Sequence, residues 1–394
     1  MPSIYFRDNT CSNYKLQIKR FRDFFVSNSW KETEEPKDAD IIFIGTCAAF
    51  DILENESLQD LKDMNKSGKR VVAYGCLTTF NRKGVDKVHK GTVIPAWRDD
   101  QVEALIDNPM VRLKDIPLET VFRSRKDYRV YDLSKRFVNI CLGCPFNCTY
   151  CPHKLGVGPL KSRPFDEIVQ QIKGIVKEDV KTIVLVGNEV GAYGIDIGTT
   201  YPKLLRSVMD IGPKFNIHVS QLHPAWVFKY RRELLQLLSD PRFNDIQILV
   251  QTTSRRLLKL MNRPENTAEV LEFLKEVRKK NKRAVFRTDL LVGFPTETME
   301  ELDETLEATT KVFDEVTVYG FERKSGVPLE KMGLEFFTPE EVQKHVDFAL
   351  RFAGKRGCLV TRGGQVPVKE MRKADKRKHK LYDIRSRSVS CERQ

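Results

Sequence analysis

The stretch Cys144-Pro-Phe-Asn-Cys148-Thr-Tyr-Cys151 holds three cysteines separated by three and then by two residues. Three thiolates at this spacing are typical of the ligands of one iron–sulfur cluster, and three ligands on four irons leave one iron open. An open iron can bind a substrate or a cofactor, so the motif indicates chemistry rather than electron storage alone. A zinc site is the alternative, because zinc prefers four ligands in paired cysteine units and Cys141 could supply the fourth.

Apolar runs alternate with helical patterns on the carboxyl side of this motif, for example the helical stretches 165–178 and 267–281. Such alternation predicts βα units and a parallel sheet. Six units form a partial TIM-type barrel, whose site lies at the carboxyl ends of its strands. The cysteine motif follows the first strand and is therefore placed at that edge. The six predicted strands are 138–141, 182–187, 218–222, 245–251, 284–294 and 316–321.

The N-terminal part shows a second pattern, in which Cys11, Cys47 and Cys76 each follow an apolar run. Helical patterns at about 15–30 and 53–66 separate these runs, and a further strand is predicted at 92–97. The β-α-β-α-β order predicts a parallel sheet whose strand ends lie along one edge. The three cysteines would converge there and could ligate a second cluster. Each of them alone could equally be a small buried apolar residue.

Length and charge indicate how the chain is organised. A chain of 394 residues is long enough for two or three domains, and we predict them at 1–125, 126–353 and 354–394. The net charge of +13 is concentrated at the C-terminus, where residues 351–394 carry 14 Lys and Arg against 4 Asp and Glu. This basic tail could bind phosphates or could simply be a solvated, disordered segment.

Nine cysteines in a chain without an export signal favour metal ligation in a reducing cytosol over a disulfide framework. The sequence has no apolar stretch of roughly 18 residues, the length that a membrane-spanning helix needs. We therefore expect a cytoplasmic protein that does not enter the membrane.

These motifs together resemble the radical S-adenosylmethionine (SAM) methylthiotransferase family over about residues 3–350. The run Gly191-Ala-Tyr-Gly-Ile-Asp-Ile-Gly198 is most similar to the branch that acts on threonylcarbamoyl-adenosine beside the tRNA anticodon. Other branches act on isopentenyl-adenosine in tRNA or on an aspartate of a ribosomal protein. Besides the two cysteine sets, the blocks that carry the resemblance are Lys161-Ser-Arg163, Gly191–Gly194, Gln251-Thr-Thr-Ser254, Leu258–Arg263 and Asp289–Pro295.

The resemblance implies two 4Fe–4S clusters, one on Cys144, Cys148 and Cys151 and an auxiliary one on the three N-terminal cysteines. One SAM molecule would methylate a sulfur atom, and a second, cleaved reductively, would activate an inert C–H bond of the substrate. The implied partners are tRNA and a reductant such as flavodoxin or ferredoxin. The residues expected to bind SAM are Gly187, Glu189, Tyr193, Gln251 and Gly293.

The chain departs from the family pattern at several positions. Family members usually end in a small RNA-binding barrel, whereas the basic tail is too short and too charged for a complete one. Glu189 stands where we expect an aspartate, and Cys141 where we expect a small polar residue. Two alternatives to the tRNA enzyme therefore stay open. One is a methylthiotransferase that acts on a protein or peptide side chain, and the other is a non-catalytic, metal-stabilised nucleic-acid-binding protein.

Overall fold

The computed structural model describes residues 1–116, 118, 135–178, 180–353 and 358–363. They form two compact units, one of Met1–Phe146 with Cys151–Lys161, and one of Asn147–Tyr150 with the described residues from Ser162 onward. The predicted boundary at residue 125 and most of the predicted tail, 354–394, lie outside the described residues. None of the helices in the described part of the chain is long and apolar enough to cross a membrane.

The N-terminal sheet has five strands in the order β2-β1-β3-β4-β5, and all of its strand pairs are parallel. This confirms the predicted parallel sheet, although the first two helices begin two or three residues earlier than expected. The strands are β1 (Ser3–Asp8), β2 (Lys31–Glu32), β3 (Ile41–Thr46), β4 (Arg70–Gly75) and β5 (Thr92–Pro95). The helices are α1 (Ser12–Ser27), α2 (Asp51–Met64), α3 (Leu77–Phe80), α4 (Arg82–Val88) and α5 (Asp99–Glu103).

Aromatic side chains pack α1 against this sheet. Phe21 of α1 contacts Tyr74 of β4 edge to face at 5.0 Å between ring centroids, and it lies 5.8 Å from Phe43 of β3. All three rings are fully buried. Burial of each such side chain contributes about 1.5–3 kcal/mol relative to exposure. This packing fixes the start of α1, and therefore Cys11, at the carboxyl edge of the sheet.

Gly75, the last residue of β4, is expected to tolerate no side chain. Its φ is +123°, and an added Cβ would lie 2.4 Å from the carbonyl oxygen of Thr46. Gly68 also has a positive φ, +70°, but an added Cβ there would meet nothing within 4 Å. We expect Gly75→Ala to lower the free energy of unfolding by at least ~3 kcal/mol, since overpacking adds to strain, and Gly68→Ala by only about 1 kcal/mol. Urea denaturation checks this, and equal losses would contradict the geometry at Gly75.

The second sheet has eight strands in the order β13-β12-β11-β10-β9-β8-β6-β7, and each pair from β8 to β13 is parallel. The strands are β6 (Lys135–Leu142), β7 (Lys161–Ser162), β8 (Thr182–Gly187), β9 (Asn216–Leu222), β10 (Asp245–Ile248), β11 (Val285–Val292), β12 (Glu315–Gly320) and β13 (Leu359–Arg362). The helices of this region are α6 (His153–Val157), α7 (Phe165–Ile175), α8 (Tyr201–Asp210), α9 (Pro224–Lys229), α10 (Arg231–Leu238), α11 (Arg255–Leu260), α12 (Thr267–Lys280), α13 (Met299–Thr310) and α14 (Pro339–Ala353).

This sheet confirms the predicted partial barrel, since the six predicted strands are β6 and β8 to β12. The short strands β7 and β13 at its two edges were not predicted. Polar side chains connect neighbouring strands within it. Arg287 of β11 donates to Asp245 of β10 at 2.6 Å, and Asp245 also lies 3.5 Å from Nδ1 of His218 on β9.

Candidate active site

The three N-terminal cysteines follow three neighbouring strands: Cys11 follows β1, Cys47 follows β3 and Cys76 follows β4. Burial raises the pKa of Cys76 well above its usual value, and the proximity of Cys11 and Cys47 raises it further. The structure thus brings the three thiols together at the carboxyl edge of the sheet. Whether they ligate a cluster stays a prediction.

Neighbouring residues pack against these thiols, of which Cys47 and Cys76 are buried. Tyr14 of α1 is buried, and its pKa is raised by burial and by the nearby Cys76 and Cys11. A Cβ added at Gly156 of α6 would lie 2.8 Å from Cβ of Cys76, so α6 packs directly against that cysteine. The backbone N–H of Cys47 donates to Oγ of Ser57 at 3.2 Å.

The chemistry of the three thiols suits a metal centre. Burial raises the pKa of Cys11 and of Cys76, and a bound metal centre supplies the positive charge that stabilises thiolates. Cys11, Cys47 and Cys76 are therefore the residues that would hold the predicted auxiliary cluster.

The second cysteine set lies in the loop after β6. Cys144 and Cys151 belong to the first unit, and Cys148, which is buried, belongs to the second. Within the first unit, Nζ of Lys154 donates to the carbonyl oxygen of Cys144 at 3.0 Å. Within the second unit, Thr149 follows Cys148, and its backbone N–H donates to the carbonyl oxygen of Met261 at 3.1 Å. The hydroxyl of Thr149 also donates, to the carbonyl oxygen of Leu260 at 2.7 Å. These hydrogen bonds hold the backbone next to Cys144 and Cys148 in place.

Arg263, which sequence reasoning did not assign to the site, contacts Cys148. Its Nη1 lies 3.6 Å from Sγ of Cys148 and 3.5 Å from the hydroxyl oxygen of Tyr150, and Nη2 donates to the carbonyl oxygen of Leu249. In the sequence, Arg263 stands out only as the last residue of the block Leu258–Arg263, which resembles a family motif. Nothing in the sequence indicated that this block packs against the cysteine loop.

Glu189 is a buried carboxyl group beyond the end of β8. Its Oε1 accepts hydrogen bonds from the backbone N–H of Gly191 at 3.3 Å and of His223 at 3.1 Å. Burial raises the pKa of Glu189 to about 8 and lowers the pKa of His223 to about 2. A buried carboxyl of this kind ionises readily once a cation is placed beside it.

The other residues expected to bind SAM lie at or beyond the carboxyl ends of strands. Gly187 ends β8, while Gln251 follows β10 with a φ of +68° and Gly293 follows β11 with a φ of +70°. The N–H of Gly293 donates to Oε2 of Glu297 at 2.6 Å. Tyr193 is fully buried, and its hydroxyl donates to the carbonyl oxygen of Arg163 at 3.1 Å. Tyr193 therefore anchors its loop in this structure, and its contact with SAM remains a prediction.

The raised pKa of Glu189 predicts a pH-dependent stability. Its usual value is 4.5, so between about pH 4.5 and 8 the folded protein holds a proton that the unfolded chain releases. The stabilisation is fully present below pH 4.5 and is lost as the pH rises through about 8, since stability falls wherever the native state binds more protons. We expect Glu189→Gln to flatten this decline in urea midpoints of the apoprotein. Glu297, whose pKa is also about 8, is the matched comparison, and an unchanged slope in Glu189→Gln would contradict the assignment.

Comparison with known proteins identifies the class. The Radical SAM superfamily profile matches residues 138–309, and that of the uncharacterized protein family UPF0004 matches residues 3–94. The solved radical SAM methyltransferase TsrM from Kitasatospora setae has a TM-score of 0.59 at 12% identity, and the match covers 84% of this chain and 77% of TsrM. At that identity the likeness shows the fold alone, which is that of the radical SAM enzymes.

Two curated relatives narrow the class. The ribosomal protein uS12 methylthiotransferase RimO of Thermotoga petrophila is 30% identical over 304 residues, which cover 74% of this chain and 69% of RimO. A probable threonylcarbamoyladenosine tRNA methylthiotransferase of Pyrococcus abyssi is 29% identical over 337 residues, 83% of this chain and 78% of that protein. The chain belongs to the radical SAM methylthiotransferase family of enzymes.

Proposed function

We propose that this enzyme adds a methylthio group to a modified adenosine of the threonylcarbamoyl type beside the tRNA anticodon. The observation that carries the proposal is the presence of two cysteine triads at strand ends, in a chain of this family. The tRNA substrate is supported by the loop Gly191–Gly198, which resembles the threonylcarbamoyl-adenosine branch, and by the similarity to the Pyrococcus abyssi protein.

Cys144, Cys148 and Cys151 would hold the 4Fe–4S cluster that binds SAM, and Cys11, Cys47 and Cys76 would hold the auxiliary cluster. When bound, these groups supply one-electron cleavage of SAM and a site for the transferred sulfur. Glu189 would neutralise the ammonium group of SAM. Gly187, which ends β8, and Gln251 and Gly293, which follow β10 and β11, would contact its nucleoside at the carboxyl ends of the barrel strands.

A protein substrate is the second candidate, because RimO, whose printed name gives a ribosomal protein as its substrate, is as similar to this chain as the tRNA relatives are. The third possibility, a non-catalytic nucleic-acid-binding protein, is not supported, since the family consists of enzymes. A flavodoxin or ferredoxin is the proposed electron donor, because SAM cleavage needs a low-potential electron.

Mass spectrometry of tRNA nucleosides tests the proposal. Cells that lack the gene should lose the methylthio form of threonylcarbamoyl-adenosine, the wild-type gene should restore it, and a Cys148→Ala copy should not. Ribosomal proteins from the same cells are analysed in parallel. Unchanged tRNA with a lost methylthio group on a protein would overturn the tRNA assignment in favour of the second candidate.

A further inference from the structure

Arg263 is a buried cation that forms no ion pair with a carboxylate among the described residues. Its residue surface is 8% exposed, and the charge of Glu189 acts on its guanidinium only without direct contact. Its Nε also has no hydrogen-bond partner. Removing a charge from water costs several kcal/mol unless an opposite charge and hydrogen bonds compensate for it. A guanidinium in this position therefore requires a negative partner.

The contacts of Arg263 show where that partner is. Two of its three neighbours, the hydroxyl of Tyr150 and the carbonyl oxygen of Leu249, are neutral acceptors. The third is Sγ of Cys148, 3.6 Å from Nη1, within the range of an N–H···S hydrogen bond. A cysteine becomes an anionic thiolate when it ligates iron. The Cys148 sulfur, as a thiolate ligand of the cluster, would thus be the negative group that Arg263 contacts directly.

We propose that Arg263 stabilises the reduced state of the cluster held by Cys148, as its counter-charge and as a hydrogen-bond donor to the Cys148 sulfur. The inference rests on the proposed function, because it requires a cluster at Cys144, Cys148 and Cys151. Reduction adds one electron from an external low-potential donor, and no bond forms or breaks. A positive charge and an N–H donor at a cluster sulfur stabilise the more negative, reduced state and raise the reduction potential. Arg263 is thus a positioning and tuning residue, which makes SAM cleavage accessible to a cellular reductant.

An anaerobic redox titration without SAM, followed by electron paramagnetic resonance, tests this in the full-length chain. SAM is added after the titration, and the paramagnetic resonance signal that then changes is assigned to the cluster at Cys148. At a fixed potential we expect Arg263→Gln to lower the ratio of reduced to oxidised cluster at least tenfold, a shift of roughly 59 mV for one electron. Arg263→Lys, which keeps the charge but loses the planar fork, should show a smaller loss. The control is Arg255→Gln, which removes an exposed charge on α11 and should change the ratio less than twofold.

The outcomes separate this inference from the proposed function. A wild-type protein that binds no iron at Cys148 would refute the function itself. Full iron content with an unchanged potential in Arg263→Gln would overturn the inference alone. Weaker SAM binding with an unchanged potential would mean that Arg263 serves the carboxylate of SAM instead.

A second measurement covers the case in which Arg263→Gln does not fold. In wild-type protein carrying ¹⁵N-labelled arginine, electron–nuclear double resonance should show a ¹⁵N coupling to the reduced cluster at Cys148. The absence of that coupling would overturn the inference without any substitution.

Discussion

Cys148→Ala is expected to abolish reductive cleavage of SAM. The thiolate at this position would hold one of three protein-ligated irons, and a cluster with two ligands is not stably retained. We expect the rate of 5′-deoxyadenosine formation to fall by more than roughly 100-fold, since even outer-shell partners of metal ligands cost 10–100-fold. Iron content should fall from about eight to about four per chain, because the auxiliary cluster on the other three cysteines is left intact. Chromatographic assay of 5′-deoxyadenosine and iron counting on one sample measure both effects.

Cys358→Ala is the matched control for Cys148→Ala. Burial raises the pKa of Cys358 to about 12, so this thiol stays neutral and unreactive. It precedes β13, and its removal should change neither iron content nor cleavage. SAM cleavage that persists in Cys148→Ala would show that Cys148 is not a ligand of the SAM-binding cluster.

Cys76→Ala is expected to separate the two halves of the reaction. Cys76 lies among the three N-terminal thiols, so its loss should empty the auxiliary cluster and lower the iron content by about four per chain. SAM cleavage should persist, because it requires only the other cluster. Methylthio transfer to the substrate should fall below detection, a loss of more than roughly 100-fold. Mass spectrometry of the product, beside the 5′-deoxyadenosine assay, measures both.

Cys141→Ala is the control for Cys76→Ala. Cys141 is fully buried within β6, and the substitution removes one thiol without changing either triad. Full activity in Cys141→Ala would show that it is not a fourth ligand. Loss of SAM cleavage in Cys76→Ala, or transfer that persists without Cys76, would contradict the assignment of two separate clusters.

Two regularities let the sequence predict the cysteine triads. The spacing of Cys144, Cys148 and Cys151 is local and needs no fold. The convergence of Cys11, Cys47 and Cys76 follows from the rule that parallel strands end along one edge. Both sheets could be predicted for the same reason, since buried strands and amphipathic helices have clear periodicity.

The rest depends on tertiary contacts that no local pattern carries. Arg263 meets Cys148 across 115 positions of the sequence, and only packing of the 260–262 turn on the cysteine loop brings them together. Nor does the sequence show that the hydroxyl of Tyr193, a predicted SAM-binding residue, donates to the carbonyl oxygen of Arg163, 30 positions away. The edge strands β7 and β13 are two and four residues long, too short for periodicity to distinguish them from loops.

The central claim, a radical SAM enzyme with two clusters, is tested most directly by anaerobic reconstitution of the full chain. Iron, sulfide and zinc are counted, and 5′-deoxyadenosine is assayed on the same sample after reduction with SAM present. The account predicts about eight irons per chain, the sum of two four-iron clusters, together with SAM cleavage. About four irons per chain together with SAM cleavage would mean that Cys11, Cys47 and Cys76 are core residues that hold no cluster. Bound zinc without cleavage would contradict the account as a whole.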